Sequence, residues 1–152
     1  LIGAILAPIS GKLLDTFGAK RPILIGILIT MIGWGGLSFS LGHIGALGVV
    51  AGHVFYMIGI GLCYSNLMAV GMNQIAKDLQ SDGNAVFNTL QQFAGAVATA
   101  LVAVIINFVQ KNSHLSLQNA TTLGSKIAMF VILGLMGLAF IGCLRLFAKT
   151  DN

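Results

Sequence analysis

Hydrophobic and polar positions follow one another along this chain in long blocks. Four apolar runs, at 23–42, 46–72, 86–110 and 126–147, are joined by short polar stretches. The four acidic residues, Asp15, Asp78, Asp82 and Asp151, all fall between or beyond those runs. A bilayer's hydrocarbon core takes about 20 apolar residues per helical span, and a run of about 18 or more marks a candidate. Every run reaches that length, so the pattern predicts an all-α membrane protein, a polytopic bundle of transmembrane helices.

Residues 1–10 are apolar but too short to cross a bilayer, and they lack the basic flank of a signal peptide. They begin with Leu1 rather than Met and are expected to be the end of a helix that starts upstream. On that reading the chain is the C-terminal piece of a larger membrane protein. Residues 11–22 read as a tight polar connection, with Gly11 and Gly18 allowing close backbone approach or positive φ. Pro22 stands at a first helical position, where its missing N–H does no harm. The link at 43–45 is short enough to make spans 23–42 and 46–72 antiparallel neighbours, while 73–85 and 111–125 read as polar loops.

Composition removes the soluble alternative. Hydrophobic residues make up 57% of the chain and charged residues 8%, against roughly 25% charge in an ordinary soluble domain; mean hydropathy is +0.94. The net charge of +4 comes from eight basic residues scattered over several loops, with no patch or motif for nucleic acid. It has a topological explanation instead, because cytoplasmic loops are enriched in Lys and Arg. Alternating sides places Lys12, Lys20, Arg21, Lys77, Arg145 and Lys149 on one face and only Lys111 and Lys126 on the other. The connection at 11–22, the loop at 73–85 and the C-terminus are therefore expected in the cytoplasm of a multi-pass, bacterial-type cell-membrane protein. Cys63 and Cys143 fall within spans and read as small apolar packers, with no disulfide or metal site implied. Asn119-Ala120-Thr121 matches a glycosylation acceptor pattern that is common by chance.

The most specific local pattern is Gly11-Lys12-Leu13-Leu14-Asp15-Thr16-Phe17-Gly18-Ala19-Lys20-Arg21-Pro22. It resembles the cytoplasmic loop signature of the major facilitator superfamily, Gly-x-Leu-x-Asp-x-x-Gly-x-basic-basic, at Gly11, Leu13, Asp15, Gly18, Lys20 and Arg21. Thr16 departs from it, since many members carry Arg directly after the Asp. The resemblance implies a conformational-switch segment that helps hold the cytoplasmic side shut. Asp15 would accept hydrogen bonds from a neighbouring helix N-terminus, where negative charge is favoured. A second stretch, from Asn88 to Ala100, is similar to the penultimate helix of fourteen-span drug:proton antiporters, with Ala94 and Ala98 where glycines are usual. Together the resemblances cover roughly residues 1–105. They imply part of the C-terminal half of a major facilitator fold: its last four helices plus a stub. The implied work is alternating-access efflux of small lipophilic or cationic molecules, driven by protons. The implied partners are a small-molecule substrate, the lipid bilayer and the rest of the same transporter chain; no cofactor is implied.

The residues themselves point the same way. Asn88, Gln91, Gln92, Gly95 and Thr99 recur at i, i+3, i+4, i+7 and i+11 and so share one helix face. Amides are unfavourable against lipid and must turn toward other helices or a water-filled cavity. Gly95 and Thr99 permit close helix packing. Asn88, Gln91 and Gln92 are thus candidates either to line a transport cavity or to hydrogen-bond between helices. Trp34, Tyr56 and Asn66 are further cavity candidates, because an aromatic pocket with few polar groups suits lipophilic cations; their other reading is packing or interface anchoring. His53 reads as a hydrogen-bonded structural histidine. No carboxylate lies within a span, so a coupling carboxylate would have to lie outside this chain. No Asp pair, Ser–His pair or His-rich cluster occupies the spans, so the chain is not read as an enzyme and no catalytic or metal-binding residue is named. A small membrane accessory protein and a superfamily transporter for another solute class stay open.

The orientation is directly testable with Asp82→Cys and Ser116→Cys in the full-length protein. A membrane-impermeant maleimide on intact cells is expected to label position 116 and spare position 82; the reverse pattern would invert the topology.

Overall fold

The computed structural model describes residues 2–150, with side chains over 10–149, so Leu1 of the expected helix end and Asp151 of the tail lie outside the described residues. The element order is α1 (Ile2–Phe17), α2 (Lys20–Ser40), α3 (Ala46–Asn73), a single 3-10 turn (Lys77–Leu79), α4 (Gln80–Asn112) and α5 (Leu117–Thr150). No strand occurs among the described residues. Four stretches are long and apolar enough to cross a membrane: α2, α3, α4 with its preceding turn, and α5 through Lys149, with hydropathies of 1.9, 1.9, 2.0 and 2.6. The all-α, multi-pass architecture expected from the apolar blocks is therefore present.

At most ends the helices run beyond the apolar blocks, which shortens three of the expected connections, while the link at 43–45 widens to 41–45 because α2 ends at Ser40. The segment 11–22 is not a loop of that length, because Gly11 to Phe17 complete α1 and Lys20 to Pro22 open α2. Only Gly18 and Ala19 turn the chain. Gly18 adopts φ +71°, and its N–H bonds the Leu14 carbonyl at 3.0 Å, a left-handed helix stop that a residue without Cβ makes readily. Pro22 lies in the first turn of α2 rather than at its first position, still where a missing N–H leaves no bond unmade. The segment 73–85 is largely taken up by the 3-10 turn and the start of α4, and 111–125 shrinks to residues 113–116. Polar residues at those helix ends continue the i→i−4 ladder because nothing in them breaks it.

The chain forms two compact units, the first holding α1, α2, α3 to Val70 and α5 from Phe130, the second spanning Gly71–Met129. In the first unit α2 and α3 are antiparallel and their backbones touch. A Cβ added at Gly26 would lie 2.7 Å from the Cys63 nitrogen and 2.9 Å from the Gly59 carbonyl oxygen. At Gly33 it would lie 2.6 Å from the Tyr56 nitrogen, and at Gly59 it would collide with the Thr30 backbone nitrogen. Further along, a Cβ added at Gly52 would lie 2.6 Å from the Leu37 side chain. Lipid tails are as apolar as leucine, so helices there associate through close van der Waals contact, which small residues allow.

On α2, Phe39 meets Phe130 of α5 edge to face, 5.0 Å between centroids at 78°. Leu133 of α5 lies 3.7 Å from a Cβ placed at Gly35. Helix α2 is thus the strut of this unit, with eight buried residues against two on α3. In the second unit α4 and α5 form an antiparallel hairpin. Gly124 packs on the Ile106 Cα (2.9 Å from an added Cβ), flanked by buried Ala120 and Ala128. Large apolar side chains such as Ile32, Phe93, Val104, Phe108 and Leu138 point outward, each at least 65% exposed, as suits residues that meet lipid or other helices.

Replacing Gly59 by Ala is expected to lower the stability of the full-length protein in detergent by about 1–3 kcal/mol, the typical penalty of overpacking. Gly134→Ala, with nothing within 4 Å of the new methyl, should leave the thermal midpoint unchanged or slightly raised. Equal effects at both positions would remove the backbone contact as the cause.

Candidate functional site

The close approach at Gly33 is what brings two of the candidate residues together. With no side chain at that position, α3 comes near enough for Trp34 and Tyr56 to stack at 5.3 Å with a 44° tilt. His53, one turn away on α3, adds a third ring 5.9 Å from Tyr56 at 31°. Ser38 Oγ donates to the Trp34 carbonyl at 2.7 Å, returning that hydroxyl to its own helix. The outcome is an aromatic cluster on the α2–α3 pair, and rings in such an arrangement present π faces to cations or apolar bodies.

Asn66 is not part of that cluster. It lies on α3 ten residues beyond Tyr56, about 15 Å along a helix. It is 1% exposed, and its Nδ2 donates to the Leu62 carbonyl at 2.7 Å. The same carbonyl accepts from Ser10 Oγ of α1 at 3.3 Å. Two polar side chains from two helices thus share one backbone oxygen, and Asn66 is sealed into the contact of α1 with α3.

The amide stripe belongs to the second unit. Asn88, Gln91, Gln92, Gly95 and Thr99 do share one face of α4, and every one of them is exposed. Asn88 Nδ2 donates to Asn84 Oδ1 at 3.3 Å, which extends the polar face one turn toward the helix start. Thr99 Oγ1 donates to the Gly95 carbonyl at 2.9 Å, while a Cβ at Gly95 would meet nothing within 4 Å. None of α4 is buried across its span.

The signature segment is distributed over a helix–turn–helix. Gly11 and an exposed Asp15 belong to α1, Gly18 makes the turn, and Lys20 and Arg21 open α2. Asp15 forms no ion pair or hydrogen bond to a helix N-terminus among the described residues. Thr16 Oγ1 donates back to the Lys12 carbonyl at 2.7 Å, so its hydroxyl is held within α1.

Three features were not singled out from the sequence. One is the glycine contact itself, whose signal is the seven-residue spacing of Gly26 with Gly33 and of Gly52 with Gly59. Another is the cross-helix bond from Gln110 Nε2 to Thr121 Oγ1, 2.8 Å long. The third is an apolar cavity of about 260 Å³ in the first unit on which Cys63 and Cys143 both border, with Thr30, Tyr64 and Met136. No local pattern marks the last two, because their residues meet only through tertiary packing.

The sequence model of the Major Facilitator Superfamily matches residues 1–99. The lincomycin resistance protein LmrB of Listeria innocua is 31% identical over 111 residues, covering 73% of this chain and 24% of that protein. The lincomycin resistance protein LmrB of Bacillus subtilis is 30% identical over 117 residues, covering 76% and 24%. A multidrug resistance protein B homolog of Mycobacterium tuberculosis is 26% identical over 117 residues, covering 75% and 22%. The chain therefore spans about a quarter of the length of these curated relatives. No solved structure matches at a comparable level.

Cysteine substitution separates the two kinds of polar residue. In the full-length protein, Asn88→Cys, Gln91→Cys and Gln92→Cys are expected to react with a polar thiol reagent roughly tenfold faster than Asn66→Cys, because burial withholds the reactive thiolate. If positions 88, 91 and 92 stay unlabelled in every transport state, they do not line an aqueous path.

Proposed function

The chain belongs to the major facilitator superfamily, and from that premise we propose that it is the C-terminal part of an efflux permease for small lipophilic or cationic drug-like molecules. The observation that carries the reading is the similarity over residues 1–99, together with relatives named for lincomycin and multidrug resistance. The arrangement of polar groups supports it. An α4 with an open amide face gives a substrate pathway hydrogen-bonding groups along one side of an otherwise apolar span. Trp34 and Tyr56 offer aromatic surface of the kind that accepts lipophilic cations.

In this proposal the permease works by alternating access, two helical bundles rocking about a site near the bilayer midplane. The α2–α3 pair moves as one rigid piece, because backbones in contact cannot slide without collision at Gly26, Gly33 or Gly59. The turn at Gly18, with Asp15 on one side and Lys20 and Arg21 on the other, is the cytoplasmic element whose rearrangement accompanies closure. Proton coupling would need a membrane carboxylate, whose burial makes protonation sensitive to conformation. The four apolar runs of this chain hold no Asp or Glu, so that group would lie elsewhere in the full-length protein. The protein would reside in the cell membrane with the C-terminus in the cytoplasm.

The test is efflux by the full-length permease in inverted vesicles, with tetraphenylphosphonium and lincomycin as probes. Gln91→Ala and Gln92→Ala together are expected to lower transport of at least one probe by about tenfold, the equivalent of one lost buried hydrogen bond. Protein level and thermal midpoint should stay unchanged. Unaltered transport of both probes would remove the α4 face from the pathway. Failure of the unsubstituted permease to move either probe would remove the drug-like substrate class.

A further inference from the structure

The segment joining α1 to α2 carries more than a turn. Leu13 and Phe17 of α1, Arg21, Pro22 and Ile25 of α2, and Leu62 of α3 enclose a groove of about 250 Å³ in the first unit. Five of its six walls are apolar and the sixth is a guanidinium. The Arg21 guanidinium stands 6.0 Å from the centre of the Phe17 ring, and no ion pair with a carboxylate is formed by it among the described residues. Ala19, which precedes α2, supplies no side-chain cap to the helix's first turn, so the backbone there adds positive potential to that of Arg21.

We propose that this groove seats an anionic phospholipid of the leaflet that meets the α1–α2 turn. One acyl chain would lie along Leu13, Ile25 and Leu62, with the phosphate on Arg21. The chemistry of the walls selects this occupant. A free phosphate would gain one cation and lose its hydration against five hydrocarbon surfaces, whereas a lipid satisfies both kinds of wall at once. Position agrees, because Arg21 stands at the very start of a membrane-crossing helix, where headgroups are met, and Ile25 and Leu62 lie one turn or more inward. The site is independent of which solute the permease moves. It would also couple lipid composition to the turn that joins α1 to α2, since the bound lipid touches both helices.

The experiment is native mass spectrometry of the full-length permease in detergent, titrated with dioleoyl phosphatidylglycerol or dioleoyl phosphatidylcholine. Unsubstituted protein is expected to retain the glycerol lipid roughly fivefold more tightly, the effect of about one basic residue at an anionic surface. Arg21→Gln should abolish that preference, while Lys149→Gln, a cation outside the groove, should keep it. Ile25→Trp, which fills the groove and leaves the cation, should weaken retention of both lipids. This second variant decides the matter should Arg21→Gln fail to fold. The proposal is overturned if Arg21→Gln retains the preference, or if Ile25→Trp binds both lipids as the unsubstituted protein does. It is also overturned if millimolar inorganic phosphate displaces the lipid or dihexanoyl phosphatidylglycerol binds equally well, since the groove would then read a phosphate alone.

Discussion

At Gly59 the backbone of α3 rests directly against α2, where an added Cβ would collide with both the backbone nitrogen and the hydroxyl of Thr30. In water, burial of leucine and isoleucine would hold two helices together. In lipid that driving force is absent, and what remains is contact density and the few hydrogen bonds helices can share. Glycines at Gly26, Gly33 and Gly59 supply the density. The rest of the first unit follows from that approach. It sets the distance at which Trp34 meets Tyr56 and brings Cys63 against α2. It also leaves the opposite side of α2 free for α5 to dock through Phe130 and Leu133.

Polar side chains inside the spans find three solutions. Thr30, Ser38, Thr89 and Thr99 return their hydroxyls to carbonyls one turn back on their own helix, at 2.7 to 2.9 Å. Ser10 with Asn66, and Gln110 with Thr121, satisfy theirs at helix contacts. On α4, Asn88 bonds the Asn84 side chain one turn back, and Asn88, Gln91 and Gln92 all lie on an exposed face. A hydroxyl can always find the carbonyl one turn back, so it says little about neighbours. A carboxamide has four hydrogen-bonding sites and cannot satisfy them all that way, so an uncovered row of carboxamides within an apolar span is the feature that asks for water, substrate or another helix. That is the physical basis on which the α4 face supports the transport proposal.

The signature segment changes meaning once its backbone is seen. As a loop it would be a flexible strap carrying charge. As the last turns of α1, a two-residue turn and the first turn of α2, it is a stiff joint in which Asp15 and the Lys20–Arg21 pair belong to different helices. Any change in the angle between α1 and α2 moves those charges relative to one another, and it reshapes the groove under Arg21 in the same step. Substrate gating and lipid contact, both proposals, would thus act through one element.

The apolar blocks by themselves determined that the chain is all-α, how many times it is long enough to cross a membrane, and that 23–42 and 46–72 are antiparallel neighbours. Those features depend only on length, hydrocarbon content and the need to satisfy every backbone N–H and C=O within a segment. Helical periodicity likewise placed Asn88, Gln91, Gln92, Gly95 and Thr99 on one face. Helix ends were less legible, because polar residues at 11–17 and 80–85 extend a helix as readily as they form a loop. Only the tertiary structure decided that Asn66 is buried beside Ser10 while the α4 amides stay open, and that Trp34 and Tyr56 touch. It also decided that the backbone of α3 meets α2 at Gly33. Those outcomes depend on which face of each helix meets a neighbour, and in a segment apolar all the way round no stripe of the sequence marks that face.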